Sequence, residues 1–196
     1  MYDNTELQIL KQIYLNPGIH KREISKQLKL GMPSIDHGLK KITSLLKAKW
    51  SGNQLQYTLD YTKPAITPAL YSVEYSRFEK LPAKVKFSVG DFLKELQDKP
   101  LLAIIFGSYA KSTYTKDSDI DILLVFQKLD KTQKIEDIAR KVGMMADTKL
   151  NPVYIDYPTF KESFHNSTKK FFNNLKQHKI LLAGIEWWRQ LKDEET

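Results

Sequence analysis

Two aspartates, Asp119 and Asp121, stand one residue apart at the head of the apolar run Ser118 to Phe126. On a strand, positions i and i+2 point to the same face, about 6.5–7 Å apart along the chain. Two carboxylates so placed repel one another and are costly without compensation. A divalent cation compensates them: Mg²⁺ or Mn²⁺ takes one or two carboxylates together with substrate phosphates. Ahead of this run, Leu101 to Phe106 is wholly apolar and ends in Gly107-Ser108. Glycine lets backbone approach a phosphate closely, and Ser108 offers a hydroxyl and an N–H to its oxygens. Lys111 and Lys116 follow within a short distance and add positive charge. The chemistry implied is metal-assisted phosphoryl or nucleotidyl transfer, in which cations hold a triphosphate and neutralise the leaving pyrophosphate.

An apolar strand, Gly-Ser, a gap of about a dozen residues and Asp-x-Asp inside a second apolar strand resembles the minimal nucleotidyltransferases of the DNA polymerase β superfamily. Asp-x-Asp alone is a weak signal, but here every fixed position is present: Gly107, Ser108, Asp119 and Asp121. The resemblance covers residues 99–182. It implies a mixed-sheet α+β domain, a nucleoside triphosphate substrate (ATP the expected one), Asp119 and Asp121 as metal ligands, and Gly107, Ser108 and Lys111 around the triphosphate. It also implies a third carboxylate from a later strand, read in Lys149 to Tyr157. Asp156 is the favoured candidate and Asn151 its rival. Strand alternation puts the two on opposite faces, so only one can serve. An amide binds metal less well than a carboxylate, so Asn151 in that place implies weak or absent catalysis.

Stepping outward from the site, the N-terminal third reads as three short helices and a hairpin. Leu7, Leu10, Ile13 and Tyr14 fall on one helical face, Ile24 and Leu28 on a second, and Ile35, Leu39, Ile42, Leu45 and Leu46 on a third. Ser34 is the expected cap of the third helix, which should run to about Ala48. A turn at Gly52-Asn53 with alternating Leu55, Tyr57 and Leu59 predicts a β-ribbon. This order resembles winged helix-turn-helix regulators, a domain expected over 1–63. The resemblance implies double-stranded DNA as a partner, with Ser34, His37, Lys40 and Lys41 on the third helix and Lys21 and Arg22 at the start of the second. Asp36 in the same stretch repels phosphate. A proline-bearing connector over 64–98, with helices at 69–79 and 83–97, leads to the nucleotidyltransferase-like domain over 99–196, which closes in helices.

Composition narrows the classes further. Residues 20–49 carry eight basic and two acidic side chains within a chain of net charge +8, which favours an anionic partner. With no cysteine there are no disulfides and no thiolate metal sites, in keeping with a cytoplasmic protein. The longest apolar run is far short of a membrane span, and the first residues lack the basic-then-apolar pattern of a signal peptide. The four histidines show no metal-ligand spacing. The leading expectation is a Mg²⁺-dependent nucleotidyltransferase with a DNA-binding domain, acting on a macromolecular acceptor, protein or RNA. The alternative is a DNA-binding regulator whose nucleotidyltransferase fold only senses nucleotide or mediates interactions such as homodimer formation.

Overall fold

The structure, a computed structural model, describes residues 4–129, 132–166 and 168–195. They form two compact units, one running to Val73 together with Lys192–Glu194, the other Glu74–Leu191 together with Glu195.

The first unit contains helices α1 (Asn4–Leu15), α2 (Lys21–Leu28) and α3 (Met32–Lys41) and strands β1 (Ile19–His20), β2 (Leu46–Ser51) and β3 (Gln54–Leu59). Ile9, Leu10, Ile13, Ile24, Ile35 and Leu39 are buried, the apolar faces that helical spacing dictates. Gly38 lets α3 close on α1, since a Cβ there would stand 2.4 Å from Ile9 Cδ1. The strands form an antiparallel sheet in the order β1-β3-β2. Two sequence expectations are corrected here. Helix α3 begins after Gly31 with a proline in its first turn, so Ser34 lies inside it and does not cap it. Proline's fixed φ suits a helix start, and its missing N–H costs nothing there. The helix also stops at Lys41: a short 3₁₀ turn, Thr43–Leu45, follows, and Leu46–Ser51 pairs in register with Gln54–Leu59. Cross-strand pairing has taken a segment whose apolar spacing reads as helix.

The second unit is built on a four-stranded mixed sheet, ordered β6-β5-β4-β7. Its strands are β4 (Leu102–Ile105), β5 (Ile120–Phe126), β6 (Leu150–Asp156) and β7 (Ile180–Ala183). β5 and β6 run parallel, and β4 pairs antiparallel with both β5 and β7. Helix α4 (Thr67–Phe78) spans the division between the units, and α5 (Ala83–Glu95) precedes β4. Helices α6 (Gly107–Lys111), α7 (Gln133–Met145), α8 (Tyr157–His165), α9 (Lys170–Gln177) and α10 (Ile185–Asp193) fill the remainder. Ile120, Ile122, Leu124 and Phe126 of β5 join Val89 and Phe92 of α5 and Ala139 and Val142 of α7 in one core. Leu123 and Val125 point the other way, toward the face where α8 packs on β5 and β6. Rings from α8, α9 and α10 interlock there: Phe160 and Phe172 lie 5.6 Å apart, and Phe164 meets Trp188 edge-on at 5.1 Å. With both faces covered, β4 and β5 are near-continuous apolar runs. No helix among the described residues is long and apolar enough to cross a membrane.

Candidate active site

β4 delivers the chain to the site and β5 carries it away. Phe106 N–H donates to the Asp121 carbonyl at 3.0 Å, tying the turn after β4 to the start of β5. Gly107 then adopts φ +69°, and a Cβ on it would stand 2.2 Å from Asp121 Oδ2. Only glycine both tolerates that backbone and leaves room for the carboxylate. Ser108 is the second residue of the short α6, and its carbonyl accepts from Thr113 N–H at 3.0 Å as the helix ends. The buried Tyr109 ring stacks on Tyr114, centroids 4.5 Å apart, and its hydroxyl donates to the Ser118 carbonyl at 3.3 Å. That contact pins the residue immediately before Asp119.

β6 supplies the rest. Its parallel register sets Asn151 beside Asp121. Asn151 Nδ2 donates to Asp119 Oδ2 at 3.1 Å and to Asp121 Oδ1 at 3.4 Å, so one amide spans both carboxylates. Lys149 Nζ lies 2.7 Å from Asp119 Oδ2. The two acids are thereby driven apart. Hydrogen bonds from Lys149 and then Asn151 hold the Asp119 carboxyl below its ordinary pKa. Asp121 is pushed up, chiefly by desolvation and further by the Asp119 charge, although the Asn151 amide opposes the shift.

Asp156, the favoured third carboxylate of the sequence reading, is not brought to the pair. It sits beside Phe126 at the far end of the β5–β6 ladder, five residues or roughly 16 Å along the strand from Asn151 and on the opposite face. There it caps α8, accepting from Thr159 N–H at 2.9 Å and from the Thr159 hydroxyl at 3.0 Å. Those two bonds lower its pKa. The run Asp156-Tyr157-Pro158-Thr159 carries that reading, as a cap residue followed by proline in the first helical turn. Among the described residues no three His, Cys, Asp or Glu side chains gather. The side chain that β6 brings to the acidic pair is Asn151.

Lys111 is exposed in the last turn of α6. The ammonium at the acidic pair belongs to Lys149, which the sequence reading missed. Lys149 and Asn151 also line an open groove of about 700 Å³, whose wall they share with Glu136, Arg140, Met144 and Asp147. In the first unit, Arg22, Ser34, His37 and Lys40 are exposed. Lys21 is paired with Asp36 at 2.5 Å and Lys41 with Glu6 at 2.8 Å.

Comparison with known proteins bears on the second unit. The nucleotidyltransferase domain family profile matches residues 89–182, a span that holds Gly107, Ser108, Asp119, Asp121 and Asn151. A protein of Methanocaldococcus jannaschii named "Putative protein adenylyltransferase" is 34% identical over 79 residues, covering 39% of this chain and 79% of that one. A solved structure titled as a toxin-antitoxin with AMP-PNP is 18% identical with a TM-score of 0.43, covering 58% of this chain and 83% of that one. At that level it supports neither a substrate nor a partner here. The family match spans the segment that builds the Gly107–Asp121–Asn151 site, and with the relative it shows that the chain belongs to the nucleotidyltransferase domain family, as an enzyme of the transferase type.

Proposed function

We propose that this chain transfers an adenylyl group from ATP to a hydroxyl of a macromolecular acceptor, a protein side chain in the first instance, with Mg²⁺ or Mn²⁺ as the required cation. The observation that carries the reading is the convergence of Asp119, Asp121 and the backbone of Gly107, with Asn151 bridging the two carboxylates. The donor set fits the cation: hard carboxylate oxygens on one strand face, with places left for phosphate oxygens and water. When bound, such an ion neutralises charge on the triphosphate and on the departing pyrophosphate. Asp119 and Asp121 hold it, while Gly107 and Ser108 receive the triphosphate and Lys111 adds positive charge at the end of α6. The acceptor oxygen forms a bond to the α-phosphorus as the bond to the β-phosphate bridging oxygen breaks. The acceptor proton leaves to water, because the amide in third place cannot receive it as a carboxylate would, and transfer is slow. An open groove lined by Lys149 and Asn151, rather than an enclosed pocket, suits a macromolecular acceptor, and the name of the relative points to protein.

The test uses ATP labelled at the α- or the γ-phosphorus, incubated with the whole chain, Mg²⁺ and an extract of cells that carry the gene. The α-label should enter the protein fraction and the γ-label should leave as pyrophosphate. Retention of the γ-label would show phosphoryl transfer instead, and no incorporation of either would remove the catalytic reading.

A second reading concerns the first unit. Three short helices and a β2–β3 hairpin, with Arg22, His37 and Lys40 exposed, support a winged helix-turn-helix domain that binds double-stranded DNA. Lys21 and Lys41, both in ion pairs, are weaker contributors than their sequence position suggests.

A further inference from the structure

Lys149 stands where the chemistry of the site leaves no room for it once a divalent cation is bound. Its carbonyl accepts from Ile120 N–H at 2.8 Å, so its backbone is fixed at the head of the β5–β6 ladder, next to the acidic pair. Its side chain is 68% exposed, and only the ammonium is held, by Asp119 Oδ2 at 2.7 Å. That same oxygen accepts from Asn151 at 3.1 Å. A cation shared by Asp119 and Asp121 must take an oxygen of Asp119, and two cations on one carboxylate repel one another.

We infer that Lys149 is a built-in counter-ion of the nucleotide-free site: its ammonium competes with the divalent cation for Asp119 and turns to the triphosphate when metal and nucleotide arrive together. This rests on the assignment of Asp119 and Asp121 as the metal-holding pair. Without nucleotide, a divalent cation must first displace the Lys149 ammonium from Asp119, so free cation binds weakly. With nucleotide, the phosphate oxygens take the ammonium, and the long exposed stem lets it swing. Lys149 is thus a positioning residue whose removal has opposite effects on the two ligands: tighter metal binding alone, weaker nucleotide binding with metal.

Mn²⁺ binding, followed by electron paramagnetic resonance on the whole chain, tests this without any turnover. In the absence of nucleotide, Lys149→Met should bind Mn²⁺ roughly twofold to fivefold tighter than the unaltered chain, the upper part of the range expected from releasing an exposed ion pair. Lys116→Met, which removes a nearby charge, should change the affinity less than about twofold. Adding Asp119→Asn to Lys149→Met should cancel the gain. With Mn²⁺ present, ATP should bind Lys149→Met several-fold more weakly. An unchanged or lower Mn²⁺ affinity in Lys149→Met, or an equal gain in Lys116→Met, overturns the counter-ion role while leaving the site in place. If the unaltered chain binds no Mn²⁺ even with ATP, the site assignment itself fails, and the counter-ion role fails with it.

Discussion

Asn151 donates to both carboxylates of the acidic pair, where a carboxylate in its place would accept. Asn151→Asp adds the acidic oxygen and removes the amide hydrogens that bridge Asp119 and Asp121. In the presence of Mg²⁺, pyrophosphate release from ATP with acceptor should then rise by on the order of tenfold or more, as for a gained general base. Asp156→Asn, measured in the same assay, should leave the rate unchanged, because asparagine still caps α8. A slower Asn151→Asp variant, or a rate lost in Asp156→Asn, would return the third role to Asp156. At this scale the sequence was legible where spacing alone carries the meaning: Gly107 and Ser108 follow β4, and Asp119 and Asp121 flank the first residue of β5. The choice between Asn151 and Asp156 depends on register between β5 and β6, which alternation within a single strand does not contain. Lys149 was invisible for a similar reason. Its partner lies thirty residues away, and a lysine before a strand looks like any other solvated lysine.

The turn between β4 and α6 is the element on which the site depends. Gly107 combines a left-handed backbone with direct contact on Asp121. Gly107→Ala should cost about 1–2 kcal/mol in backbone strain, read from urea unfolding, and should displace the Asp121 carboxylate so that Mg²⁺-dependent ATP binding is lost. Full nucleotide binding by that variant would show that the turn does not shape the site. The buried strands β4 and β5 were legible because short apolar runs bounded by small or acidic residues read as buried strands. The end of α3 was not. Leu45 and Leu46 continue its helical period, and only the long-range pairing of Leu46–Ser51 with Gln54–Leu59 removes them from it. The α8 cap shows the converse: its signal was local and present, but a carboxylate near the expected third-ligand strand was read as chemistry.

As a whole, the molecule carries a nucleotidyltransferase-family unit and a basic N-terminal unit. Phosphate contacts release condensed counterions, so DNA affinity of the whole chain should fall with salt at a log–log slope of roughly −3 to −4, for about four contacts. Lys40→Ala should weaken all duplexes alike, whereas His37→Ala should alter sequence preference if its ring meets a base edge. No retardation of any duplex at ~50 mM salt would remove the DNA reading and leave the transferase reading standing, since the two use different residues. The central claim is that Asp119 and Asp121 hold the cation that holds the nucleotide. Calorimetry of ATP binding, with and without Mg²⁺, tests it most directly when the unaltered chain is set beside the Asp119→Asn/Asp121→Asn double variant. The account predicts Mg²⁺-dependent binding to the unaltered chain and none to the folded double variant; equal binding by both would contradict it.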